Sequence, residues 1–74
     1  MDIKIKTPYI KLDQLLKFAG IADSGAMAKN MAEEGICSVN GEQELKRGRK
    51  IYPGDIVVAS LGDENIKINV GTDK

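Results

Sequence analysis

The chain has 74 residues, 42% hydrophobic and 30% charged, and its eleven basic and eleven acidic side chains give a formal net charge of zero. A chain this short supports one domain around one core, burying only about 60% of its unfolded surface, and it lies outside the low-hydrophobicity, high-charge range of disordered chains. With no histidine and the single cysteine Cys37, an internal disulfide is excluded, and a metal site or a general base of the usual kind has little to be built from. No enzyme activity, cofactor, metal or small-molecule substrate is therefore expected. No apolar run approaches the ~20 residues of a membrane span, and the opening "MDIKIKTPYI" lacks the basic-then-apolar layout of a secretory signal, so a cytoplasmic protein without a membrane partner is expected. Balanced charge exerts no general pull on polyanions, so a nucleic-acid role has to come from local charge.

In chain order, "DIKIK" alternates Ile3 and Ile5 with Lys4 and Lys6, the period of a half-buried strand, and "TP" breaks it. From Lys11 the period lengthens. Leu12, Leu15, Leu16 and Ala19 fall at i, i+3, i+4 and i+7, which predicts a helix with Gln14 and Lys17 outward, Asp13 in its first turn and Gly20 at its end. Ser24 is the natural N-cap of a second helix whose apolar stripe is Met27, Ala28 and Met31, with Ala32 beside it. Lys29, Asn30 and Glu33 face outward, and Gly35 closes the helix. The alanines at 26, 28 and 32 allow the two helices a close approach.

From Ile36 the pattern is strand and turn. "NG" at 40–41 signals a hairpin and "PGD" at 53–55 a second turn before the apolar strand "IVVASL". "GDEN" turns again into the alternating strand "IKINV", followed by "GTDK" as a polar tail. The whole predicts an α+β domain over 1–74, two short packed helices on a small, mostly antiparallel sheet of three to five short strands.

Between the two turns stands "KRGRK", residues 46–50, holding four of the eleven basic residues. A run of this kind is ordinarily a solvated loop, and it is a working surface only if other cations converge on it. Lys17 and Lys29 join it only if the fold turns their helix faces toward it; isolated surface lysines serve solubility. Glu42, Glu44, Asp55, Asp63 and Glu64 flank the run and set how much of its field survives. Cys37, next to Val39 in a predicted strand, reads as a small buried hydrophobe. Tyr9 and Tyr52 read as packing residues at strand ends, three aromatics being too few for a stacking platform.

Taken in order, Lys11-Leu12-Asp13, Leu15-Leu16, Ser24, Ala28-Lys29, Gly35, Val39-Asn40-Gly41 and Pro53-Gly54-Asp55 resemble the S-four type RNA-binding domain of the small ribosomal subunit, the alpha-L motif, over about residues 11–57. Among its members the small stand-alone bacterial proteins are the ones this chain resembles. The resemblance implies a non-catalytic module whose two helices and adjoining basic hairpin meet RNA backbone, with ribosomal or other structured RNA, and the ribosome or its precursors, as partners. The matching positions are Lys11, Lys17, Ser24, Gly25, Lys29, Lys46, Arg47, Arg49 and Lys50. Many members carry arginine directly after the serine cap. Gly25 stands there in this chain, leaving backbone N–H groups to an anion but no guanidinium fork, and "KRGRK" is expected to compensate.

Two other readings share part of the pattern. β-Grasp sulfur carriers also use a "VNGE" turn and a "GD" turn, but they place a hairpin before their helix, where this chain has two helices. A protein-interaction module with an incidental basic rim is the other, and it differs in predicting little salt dependence of binding.

Overall fold

The computed structural model describes residues 1–73. In chain order the elements are β1 (Asp2–Ile5), β2 (Ile10–Lys11), α1 (Leu12–Phe18), α2 (Gly25–Glu33), β3 (Cys37–Val39), β4 (Glu42–Glu44), β5 (Lys50–Ile51), β6 (Ile56–Leu61) and β7 (Glu64–Thr72).

The helices form where the periodicity places them. Leu12, Leu15 and Leu16 are buried on α1 while Gln14, Lys17 and Phe18 stay exposed. Gly20, at φ +77°, takes the left-handed conformation that ends the helix, and the N–H groups of Ile21 and Ala22 both donate to the Leu16 carbonyl. On α2 the Ser24 Oγ accepts from the Met27 N–H at 3.2 Å, so the expected cap is present. Ala28, Met31 and Ala32 are buried, but Met27 and Ala26 are exposed, so neither belongs to the packed stripe. Met27 instead folds back over the helix start, where its sulfur accepts from the Asp23 N–H. Gly35, also at φ +77°, sits in the left-handed region that favours glycine, and a Cβ there would also displace the ends of the Gln43 and Leu45 side chains.

The strands build a five-stranded sheet in the order β1-β7-β6-β3-β4, antiparallel throughout except for the parallel pair of β1 with β7. At the "NG" turn Asn40 (φ 51°) and Gly41 (φ 89°) join β3 to β4 with Val39 opposite Glu42, the two-residue geometry that such dipeptides favour. β7 runs through Gly71 and Thr72, residues expected in a polar tail, because Lys4 and Ile5 of β1 pair with them. Cys37, Val39, Val57, Ala59, Ile68 and Val70 join the helix leucines, alanines and Met31 in one core cluster.

A second, two-stranded sheet pairs β2 with β5, Ile10 opposite Ile51 and Lys11 opposite Lys50. The sequence reading does not contain this ribbon. It also changes the place of the basic run: β4 ends at Glu44, so residues 46–49 form a loop that follows the hairpin, and Lys50 lies in β5. The expected basic hairpin is a basic loop and strand.

Candidate nucleic-acid interface

The first turn of α1 organises the surface. Lys11, its N-cap residue, offers no capping side chain, so the first N–H groups of the helix need other acceptors. The backbone of the basic loop supplies them. Leu12 N–H donates to the Arg49 carbonyl at 2.9 Å and Asp13 N–H to the Arg47 carbonyl at 3.0 Å. Together with the Lys11–Lys50 register, these bonds hold Lys11, Arg47, Arg49 and Lys50 beside one helix end, with Lys46 entering the same loop. Lys17 lies one turn along α1, i+4 from Asp13, and is exposed.

Charge at this end is partly matched. Arg47 pairs with Asp13 at 3.8 Å and Arg49 with Glu44 at 2.6 Å; among the described residues these are the ion pairs. Glu44 also shapes the loop, its other oxygen accepting from the N–H groups of Leu45 and Lys46, each at 3.2 Å. The Arg49 hydrogen bond leads the interactions that hold the Glu44 carboxyl below the usual glutamate range, against a smaller opposing effect of desolvation. Asp55 is spent on the "PGD" turn, accepting from the Tyr52 N–H at 2.8 Å and from Asn40. Five cations thus converge on two carboxylates, Asp13 and Glu44, and Lys11, Lys46 and Lys50 carry their charge without an ion-pair partner among the described residues.

Ser24, Gly25 and Lys29 lie at the start of α2. Gly25 is the first residue of α2, with no atom within 4 Å of where its Cβ would be, and Lys29 stands one turn on, i+4, on the same face. No side-chain hydrogen bond or ion pair among the described residues ties this face to the loop; α2 meets the cluster by packing on α1. The loop, the ribbon and the start of α1 thus bring Lys11, Lys46, Arg47, Arg49 and Lys50 together; Lys17 lies further along α1, and Ser24, Gly25 and Lys29 lie at the start of α2, which packs on α1.

Cys37 is buried in the core, and desolvation pushes its thiol up to about 11, so it behaves as a hydrophobe as expected. The tyrosines, at the ends of β2 and β5, pack on each other rather than in the core. Neither joins the core cluster. Their rings meet at 5.8 Å between centroids, and the Lys50 ammonium stands 4.9 Å from the centre of the Tyr9 ring. Their meeting depends on the β2–β5 register, which no local sequence signal announces.

The S4 domain family model matches residues 3–69. The chain is 47% identical over 55 residues to the probable ribosome maturation protein RlbA of Bacillus subtilis (strain 168), an alignment covering 74% of this chain and 78% of that one. It is 40% identical over 52 residues to the putative RNA-binding protein YbcJ of Escherichia coli (strain K12), covering 70% and 74%. In fold it is similar to the trimeric structure of Vibrio cholerae heat shock protein 15, with a TM-score of 0.75 at 23% identity, covering 89% of this chain and 66% of that one. The ordered motifs, the helix pair on its sheet and the match over 3–69 converge, and the chain belongs to the S4 domain family.

Proposed function

We propose that residues 1–74 act as one non-catalytic RNA-binding domain that engages structured RNA through its phosphates, with ribosomal RNA on the ribosome or its precursors as the partner and the cytoplasm as the place of action. The observation that carries this reading is the stitching of the basic loop to the start of α1. Backbone bonds from Leu12 and Asp13 and the Lys11–Lys50 pairing fix cations that would otherwise be spread over a mobile turn. Positioned cations facing phosphate give affinity and register with little dependence on base identity, which suits recognition of RNA shape. The relatives named for ribosome maturation and for RNA binding support the choice of partner.

Within this surface Lys11, Lys46 and Lys50 are the direct phosphate ligands, and Lys17 extends their track. Arg47 and Arg49 divide their donors between phosphate and the carboxylates that hold the loop. Ser24, Gly25 and Lys29 offer a second phosphate position at the start of α2.

Crosslinking the protein to RNA in its own cells, and sequencing what is captured, tests the reading. The wild-type protein enriches defined ribosomal RNA segments, and replacement of Lys46, Arg47, Arg49 and Lys50 by alanine abolishes that enrichment. Capture of no RNA above background by the wild-type protein contradicts it.

A further inference from the structure

The two-stranded ribbon carries more than cations. Along β2 and β5 the side chains alternate between two faces. Ile10 and Ile51 turn inward, Ile51 fully buried and Ile10 packed against the core. Lys11 and Lys50 take the other face, and the antiparallel register, continued one step, sets Tyr9 opposite Tyr52 on that same face. The outer face is therefore two tyrosines followed by two lysines. The 5.8 Å ring contact is tilted at 49°, and Tyr52 remains 46% exposed. The Thr7 hydroxyl donates to the Tyr9 carbonyl at 2.8 Å and fixes the turn that delivers Tyr9. Beside Tyr9 and Lys11 the surface opens into a shallow concavity lined also by Thr7, Pro8, Ile10 and Gln14, with Tyr52 and Lys50 outside its lining.

We propose that this face is a subsite for one unpaired nucleotide of the bound RNA, its base against the Tyr9–Tyr52 pair and its flanking phosphates on Lys11 and Lys50. The inference rests on the RNA-binding reading and adds a preference for RNA with an unpaired residue next to a structured element. Charge complementarity selects the occupant. An aromatic surface beside two ammonium groups without carboxylate partners matches the flat base and anionic backbone of a nucleotide, and the Gln14 amide at the rim both donates and accepts, as a base edge requires. A purine, with the larger stacking area, is preferred over a pyrimidine.

The test compares two RNA hairpins with the same stem, one blunt and one with a short single-stranded purine overhang, each followed by fluorescence anisotropy. The wild-type protein is expected to bind the overhang hairpin about tenfold more tightly, the scale of one base stacked on an aromatic ring. Tyr52→Leu and Tyr9→Leu lose that preference, and Tyr52→Phe, which keeps the ring, regains it. A second readout needs no variant. The chain has two tyrosines and no tryptophan, so its native emission comes from this face and falls when the overhang RNA binds.

Equal affinity for the two hairpins, a preference that survives in the leucine variants, or unchanged emission while anisotropy reports bound RNA overturns the subsite and leaves the RNA-binding reading in place. Binding of neither hairpin by the wild-type protein overturns both.

Discussion

Asn40 and Asp55, fifteen residues apart in sequence, are joined by a 3.1 Å hydrogen bond from the Asn40 amide to the Asp55 carboxylate. The Asn40 side-chain oxygen accepts in turn from the Ile56 N–H at 2.9 Å, and the second Asp55 oxygen accepts from the Tyr52 N–H at 2.8 Å. The two turn motifs that mark the sequence, "VNG" and "PGD", are thus two halves of one clamp. They close the β3–β6 end of the sheet and set the path of the chain through Tyr52. Their role is structural: the Asp55 oxygens hold neutral amide and backbone donors and pair with no cation of the basic surface.

Asp55→Ala leaves two donors, the Tyr52 N–H and the Asn40 amide, without their acceptor. Hydrogen bonds to a charged group of this kind contribute ~1.5–3 kcal/mol, so the substitution is expected to cost about 2 kcal/mol. For a domain whose whole stability is roughly 4–11 kcal/mol, urea denaturation resolves this as a clear fall in midpoint. A double-mutant cycle with Asn40→Ala shows coupling of on the order of 1 kcal/mol, since one bond is removed by either change.

Glu44 ties the state of the loop to pH. Its pKa is lowered in the folded protein, chiefly by the Arg49 hydrogen bond, so its contribution to stability is present above the ordinary glutamate range and is lost as pH falls through the lowered folded value. The Glu44–Arg49 tie is therefore fully present at neutral pH and weakens only in acid. An NMR titration of the Glu44 carboxyl is expected to show a midpoint below the usual range in the wild-type protein and a return toward that range in Arg49→Ala.

The helix and turn signals were legible because each is local. Leu12, Leu15 and Leu16 state the period of α1, Ser24 its neighbour's cap, and Asn40-Gly41 the hairpin. What escaped is what depends on pairing at long range. β2 is two residues long, between a proline-containing break and a helix, and its partner lies forty residues further on; two residues have no period to read. The extension of β7 to Thr72 follows from β1 lying alongside it, not from Gly71-Thr72 themselves. For the site, the charge of 46–50 was visible, but its convergence with Lys11 and the meeting of Tyr9 with Tyr52 come from that ribbon.

Gly25 is open to substitution. Nothing lies within 4 Å of its missing Cβ, and its backbone lies outside the left-handed region. Gly25→Arg adds a guanidinium one turn from Lys29 at the positive end of α2, where the small gain from removing a glycine at the first helical position is offset by the cation's interaction with the helix dipole, so stability is expected to change by less than ~1 kcal/mol. The expected outcome is tighter RNA binding by about threefold or more and a steeper salt dependence, measured by anisotropy on one structured RNA, with at most a small shift in urea midpoint. Unchanged affinity shows that the start of α2 does not face RNA.

The measurement that bears most directly on the central claim is the salt dependence of binding to a structured RNA hairpin, wild type against the variant with Lys46, Arg47, Arg49 and Lys50 replaced by alanine. Contacts that release counterions give a linear log–log plot, with a slope of about −0.7 per phosphate neutralised on single strands and about −0.9 on a B-form DNA duplex. The account predicts a steep slope for the wild-type protein. In the folded variant it predicts a slope shallower by about 2 or more and affinity at least tenfold weaker at moderate salt. The same slope and the same affinity in a folded variant would contradict it, because the basic loop would then lie outside the surface that meets RNA.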